Sequence, residues 1–173
     1  MPTITRLTPP AFPAHVDNLA EVLADAVRAG ASVGFRTPFA TADAAAWWRT
    51  RRPAVEDGTL VVWTASDATG VVGTVSLSLE SKPNGRHRAE VVKLMVHSRS
   101  RGRGLGRALL TTAEQAAASA GATLLLLDTA TGSPAERLYE SAGWTRYGIV
   151  PGYATDPSGR PEPCSFFYKQ LGV

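Results

Sequence analysis

With 173 residues, 44% apolar and 19% charged, the chain carries enough material for one domain, residues 1–173, whose core needs no metal or disulfide. Its one cysteine, Cys164, excludes an intramolecular disulfide and a CxxC metal site, and no apolar run approaches the ~18 residues of a membrane span. Net charge is +3, yet seven Lys/Arg and one acid, Glu90, fall between Arg86 and Arg107, giving +6 there and −3 elsewhere, a concentration suited to a polyanionic ligand. Met1 to Arg6 has no signal-peptide layout, so a cytoplasmic protein is expected.

In chain order, Thr3 to Thr8 reads as a short strand ended by Pro9-Pro10. Val16, Leu19, Ala20, Leu23, Ala26 and Val27 recur at helical spacing, predicting an amphipathic helix over Ala14–Ala29 closed by Gly30. The linker from Gly30 to Phe35 is partly apolar, and Val33 and Phe35 either line a pocket or tuck into the core. Thr41 to Arg52 reads as a second helix, with Thr41 as N-cap and Pro53 as stop. Trp47 and Trp48 sit within it as packing residues or as a substrate wall. Strands are expected over Thr59–Ser66 and Val71–Leu79, followed by a Pro-Asn-Gly turn at Pro83–Gly85 and a third strand over Ala89–His97.

That strand delivers Arg101-Gly102-Arg103-Gly104-Leu105-Gly106-Arg107, after which Leu105 to Ala120 reads as a helix. Glycines at alternate positions let backbone approach a ligand closely, and amides at a helix N-terminus form a ready anion site. Downstream, Thr123–Leu127 predicts a buried strand. Ser133-Pro134-Ala135-Glu136 predicts a capping box that opens a helix running to Ala142. Strands over Trp144–Val150 and Ser165–Leu171 flank a polar loop, Pro151–Pro163. The order β-α-α-β-β-β-α-β-α-β-β implies a mixed sheet in a three-layer α/β domain.

Which phosphate the loop holds is narrowed by what it lacks. Gly106-Arg107-Ala108 has neither the lysine nor the hydroxyl of a nucleotide-triphosphate loop. The third glycine of a dinucleotide fingerprint is missing, although Asp128 stands about where a ribose-binding acid would. Nucleic acid would use the same basic patch, but no recognition-helix or aromatic RNA-platform motif accompanies it.

Arg101-x-x-Gly104-x-Gly106 between strand and helix instead resembles the acetyl-CoA pyrophosphate loop of the Gcn5-related N-acetyltransferases (GNAT). The element order and the Ser133–Gly143 helix with its tyrosine resemble the same superfamily. Six segments look like its tabtoxin-resistance acetyltransferases: Gly30–Phe35, Lys82–Gly85, Arg88–Val91, Lys93–Val96, Leu127–Thr129 and Pro151–Tyr153. The stretch Trp47–Arg52 is matched least well and is a candidate for substrate contact, with Val33, Phe35 and Tyr153.

The resemblance implies an α/β/α fold with a mostly antiparallel six- to seven-stranded sheet, and acetyl-CoA as donor. Its pantetheine arm would lie along Leu94, Met95 and Val96, and its phosphates on Arg101 to Arg107 and near Ser133. The acceptor would be the amino group of a small amino-acid-like toxin or antibiotic such as tabtoxinine-β-lactam, with no nucleic-acid or membrane partner; a homodimer is compatible with it. Glu90 shares strand parity with Val92, Leu94 and Val96, and is either a paired structural charge or a base with raised pKa. Asp128 is the second candidate base, or a cap for the turn to Ser133. Tyr139 lies on the inward stripe of its helix as a core residue, or, as the family pattern implies, as the acid that protonates the departing sulfur. Cys164 is expected to be a buried packing residue, and His15, His87 and His97 surface or structural. A non-catalytic acyl-CoA sensor would need the same loop.

Overall fold

The computed structural model describes residues 1–172. These form strands β1 (Thr3–Arg6), β2 (Leu60–Asp67), β3 (Gly70–Leu79), β4 (Arg88–Val96), β5 (Leu124–Ala130), β6 (Thr145–Thr155) and β7 (Pro161–Gln170), and helices α1 (Phe12–Arg28), α2 (Thr41–Arg49), α3 (Arg52–Glu56), α4 (Leu105–Ser119) and α5 (Pro134–Ser141). The sheet order is β1-β2-β3-β4-β5-β7-β6. Every neighbouring pair is antiparallel except β4 and β5, which the α4 crossover makes parallel. The expected mixed, mostly antiparallel α/β/α sandwich is the observed one.

Two cores flank the sheet. On one face α1, α2 and α3 pack Phe12, Leu19, Leu23 and Trp48 against Val62 and Met95. On the other, α4 and α5 pack Leu105, Leu109 and Tyr139 against Val75, Val91, Leu125 and Phe167. Phe12, Leu19, Leu23 and Val27 of α1 are sealed from solvent to within 1%. At ~1.5–3 kcal/mol per side chain, these alone contribute about as much as a domain's whole net stability, which keeps α1 docked.

Several local expectations are corrected. Thr41 does not cap α2: Asp43 accepts from the Ala40 amide at 2.8 Å, and Thr41 Oγ1 donates to Glu21. Pro53 does not stop a helix but stands in the first turn of α3, where its missing N–H costs nothing. The polar stretch Pro151–Pro163 is mostly strand, since β6 runs to Thr155 and β7 starts at Pro161. Two register shifts in β6 break the alternation that would have marked it as a strand.

The correction that matters most lies in β4. Thr74 pairs with Met95 but Ser76 with Val92, so β4 carries one extra residue there, and Lys93 has φ 53°. A bulge reverses side-chain parity beyond it. Leu94 and Val96 therefore pack with the α4 core and Met95 with the α1 core. Glu90 shares its face with Val92 and Met95, not with Leu94 and Val96.

Candidate active site

The parallel ladder between β4 and β5 holds only Arg88↔Leu124, Ala89↔Leu125 and Glu90↔Leu126, although both strands continue, to Val96 and Ala130. The strands splay, and the β5-facing edge of β4 beyond Glu90, including Leu94 to Val96, has no strand partner. An unpaired edge offers backbone donors and acceptors to an extended ligand.

The glycine loop closes one end of this splay. Gly102 and Gly104 have φ of 75° and 78°, which L side chains rarely adopt, and a Cβ built on either meets nothing within 4 Å. Gly104 is the N-cap of α4 and no side chain caps that terminus, leaving its first amides, with Leu105, Gly106 and Arg107 among them, free for an anion. Gly106 differs: its Cβ would point inward, 3.4 Å from Leu138 Cδ2.

The arginines divide by role. Arg101 Nε donates to the Val96 carbonyl at 2.9 Å and its guanidinium lies 3.6 Å from Asp25. Arg107 donates to Ser141 Oγ at 2.5 Å and Arg99 to the Val71 carbonyl at 3.2 Å. Of these four loop arginines only Arg103 has no side-chain hydrogen bond or ion pair to the described residues. Asp25, buried on α1, accepts from the Ser98 amide at 2.8 Å and from Ser98 Oγ at 2.7 Å. Burial opposes its ionisation, but Ser98, His97 and Arg101 outweigh that and hold it below the usual aspartate range. Asp25 is thus the anchor on which the loop is mounted. The uncapped helix end, the open space at Gly102 and Gly104, and Arg103 fit a pyrophosphate.

Across the splay, Glu90 and Asp128 project from the same face of the sheet, since Leu125 and Leu127 face the α4 core and Asp128 alternates with them. Burial and the Asp128 carboxylate push Glu90 up, against Lys93. More than a third of Glu90's surface meets water, so its carboxyl is recessed in a cleft rather than sealed. Neither carboxylate forms a salt bridge among the described residues; Asp128 accepts only from Cys164 Sγ, at 3.3 Å. It does not cap the turn to Ser133: β5 runs two residues past it, and Ser133 Oγ accepts from the Glu136 amide at 3.1 Å and shares a bond with Thr129. Cys164 is buried as expected, and its thiol is pushed up to about 12 by burial and by Asp128.

Tyr139 is 5% exposed and packs on Trp144 and Phe167, centroids 6.0 Å away. Burial, then Asp128, drive its pKa well above the ordinary 10.0, so it is an O–H donor at any working pH. Its hydroxyl makes no hydrogen bond to the described residues, yet the sealed orphan atoms are Trp48 Nε1 and Ser76 Oγ only; the Tyr139 oxygen is therefore open to a ligand or water.

Sequence reasoning missed Lys93. The bulge turns it into the cleft, where Nζ donates to the Val33 carbonyl at 2.9 Å and lies 5.1 Å from the Trp47 ring and 5.7 Å from Phe35. Arg51 covers Trp47 at 5.1 Å. A lysine inside the apolar run Val91–Val96 was the available signal. Opposite, Phe166 pairs with Asp128 across the β5–β7 ladder, and Tyr153 stands edge-on to Phe166 at 5.0 Å. Thr37 N and Oγ1 donate to the Pro157 carbonyl at 2.8 and 3.0 Å, tying the α1–α2 linker to the β6–β7 turn. Val33, Phe35 and Trp47 thus surround Lys93 on the face that carries Glu90 and Asp128, and Tyr153 packs on Phe166, the strand partner of Asp128.

Residues 24–144, which carry the loop, both carboxylates and Tyr139, match the acetyltransferase (GNAT) family. The chain belongs to that family. It is 36% identical over 88 residues to N-acetyltransferase 8B of Rattus norvegicus, half of this chain but 40% of that protein. The ribosomal-protein-alanine N-acetyltransferase of Brucella melitensis superposes with a TM-score of 0.78 at 25% identity, over 98% of this chain and 99% of that one. The phosphinothricin acetyltransferase of Sinorhizobium meliloti, solved in complex with acetyl-CoA, superposes at 0.80 over 99% and 89%; at 20% identity that likeness carries the GNAT fold. Among the described residues no helix is long and apolar enough to cross a membrane, and no His/Cys/Asp/Glu group could hold a metal ion.

Proposed function

We propose that this GNAT protein transfers the acetyl group of acetyl-CoA to a primary amine, directly and without an acyl-enzyme. The observation that carries the reading is the splay between β4 and β5, with the uncapped glycine loop at one end and the Glu90, Asp128 and Tyr139 groups across it. Gly102 to Arg107, with Arg103 as the free cation, would hold the pyrophosphate, and the β4 edge at Leu94–Val96 the pantetheine. Arg101 would act through its backbone, because its side chain serves Asp25 and Val96. The donor supplies an activated thioester carbonyl.

What this chain's residues contribute is proton management. An amine of pKa ~10 is mostly protonated at neutral pH and must lose a proton to attack. Glu90, pushed up by burial and by Asp128, is the better matched base; Asp128 is the alternative, and a water can carry the proton to either. As the amide bond forms and the carbon–sulfur bond breaks, the thiolate needs a proton, and Tyr139 holds one in a hydroxyl that has no protein acceptor. Cys164 is unsuited to a covalent route, since its thiol stays protonated beside Asp128. The acceptor class that the tabtoxin-resistance likeness suggests is a small amino-acid-like toxin or antibiotic such as tabtoxinine-β-lactam.

The test is thiol release from acetyl-CoA across tabtoxinine-β-lactam, amino acids, polyamines, aminoglycosides and short peptides, run with wild type and Tyr139→Phe. Turnover with at least one amine is expected, with kcat roughly 10²- to 10⁴-fold lower in the variant and acetyl-CoA affinity kept. Acetyl-CoA binding without thiol release from any amine would make the protein a sensor; an unchanged kcat would remove Tyr139 from the chemistry.

A further inference from the structure

The same cleft holds charges that proton transfer does not use. Lys93 and Arg51 both lie over Trp47, and neither forms an ion pair with a carboxylate among the described residues. Arg51 donates only to its neighbour Thr50. Lys93 spends one of its three N–H donors on Val33 and is partly shielded from water. On the same face Glu90 and Asp128 act on Lys93 through space, yet neither forms a salt bridge with it or with any other cation among the described residues. Direct-contact positions are therefore open on both signs of charge: two cations beside Trp47 and two carboxylates on the same face of the sheet. A ligand that carries an anion and a cation can fill both, which makes the region complementary to a dipolar ligand.

We propose that Lys93 and Arg51, set against Trp47 and Phe35, form an anion subsite that receives the carboxylate of an amino-carboxylate acceptor while Glu90 and Asp128 receive its amine. The inference rests on the acetyl-transfer reading and adds the feature that selects among amines. Burial lowers the Lys93 pKa, with Arg51 adding to the effect and Asp128 and Glu90 opposing it; an anion between the two cations relieves that strain. The Phe35 and Trp47 rings, 5.5 Å apart and nearly perpendicular, fix the ammonium through their faces, since cations favour the π-surface. The bulge at Lys93 has a reason in this scheme: it turns a lysine that unbroken parity would send toward α4 into the acceptor side of the sheet.

The experiment compares thiol release with matched acceptors: a series of L-amino acids, their carboxamides and their decarboxylated amines. Wild type is expected to favour the free acid over its carboxamide by roughly 10- to 100-fold in kcat/KM, the range for a hydrogen bond to a charged group. Arg51→Met and Lys93→Met should shrink that ratio, mainly through the KM of the acid, while Lys93→Arg and Arg51→Lys restore much of it. Arg51→Met removes no bond to the backbone, so it reports even if Lys93→Met loosens the Val33 linker. Equal turnover of acids, amides and amines by wild type, or an unchanged preference in both methionine variants, would overturn the subsite and leave acetyl transfer standing. No thiol release from any amine would overturn both.

Discussion

Substituting alanine at Gly104 and at Gly106 separates the two reasons a phosphate loop has for using glycine. At Gly104 the φ of 78° is the constraint: holding an L-residue there costs ~1–2 kcal/mol, which for a chain of this size lowers Tm by about 2–8 °C. The added Cβ also enters space with no protein atom within 4 Å, the space assigned to pyrophosphate. Gly106 is the second residue of α4, where alanine gains ~0.5–1 kcal/mol over glycine. Its Cβ would meet Leu138 Cδ2 at 3.4 Å and Val96 Cγ2 at 3.9 Å, both ordinary contacts on the protein side. Differential scanning calorimetry should therefore show Tm falling for Gly104→Ala and holding or rising for Gly106→Ala. Titration calorimetry with acetyl-CoA should show at least about tenfold weaker binding, ~1.4 kcal/mol, for Gly104→Ala alone. Wild-type affinity in Gly104→Ala, or a larger loss in Gly106→Ala, would refute the placement of the phosphates.

The carboxylates make a prediction with a sign. Asp128 raises Glu90 by like charge and Lys93 lowers it, so neutralising Asp128 must let the Glu90 pKa fall. The acid limb of the kcat/KM–pH profile should move to lower pH in Asp128→Asn and vanish in Glu90→Gln; a limb that stays put in Asp128→Asn and survives in Glu90→Gln would remove Glu90 as the base. Asp25→Asn should destabilise by roughly 1.5–3 kcal/mol, the scale of hydrogen bonds to a charged group, as read by urea unfolding. Because the folded pKa of Asp25 is depressed, this difference should be present above the ordinary aspartate value of 3.8 and fade as pH falls through the lower folded value. A difference that persists at still lower pH would mean packing, not charge, anchors the loop.

Much of the site was legible because its parts are local. The glycine spacing announces the positive-φ turn at Gly102 and Gly104, and Ser133-Pro134-x-Glu136 announces α5. Even there tertiary structure edits the result: Glu136 Oε2 accepts from the Gly132 amide rather than from that of Ser133, and Glu136 also takes bonds from Ser165 and Arg146. Its ionised form survives burial on those bonds. The misreadings share another cause. Composition marks Pro53 as a helix stop and Pro151–Pro163 as a loop, whereas α3 and the β6–β7 hairpin depend on partners distant in sequence.

The sequence by itself determined the order of elements except for α3, the anion-binding turn before α4, the inward stripe that holds Tyr139 and the family these features point to, because each depends on neighbours within a few residues. Only the tertiary structure decided which way Glu90 and Lys93 face and what opposes them. A single extra residue against β3 reverses parity at Lys93, and a ladder that ends at Glu90↔Leu126 opens β4 from β5. Both follow from pairing between strands, a balance of long-range contacts that no local propensity records, and together they place Glu90 and Lys93 on the face of the sheet that carries Asp128, beside an edge of β4 left without a strand partner.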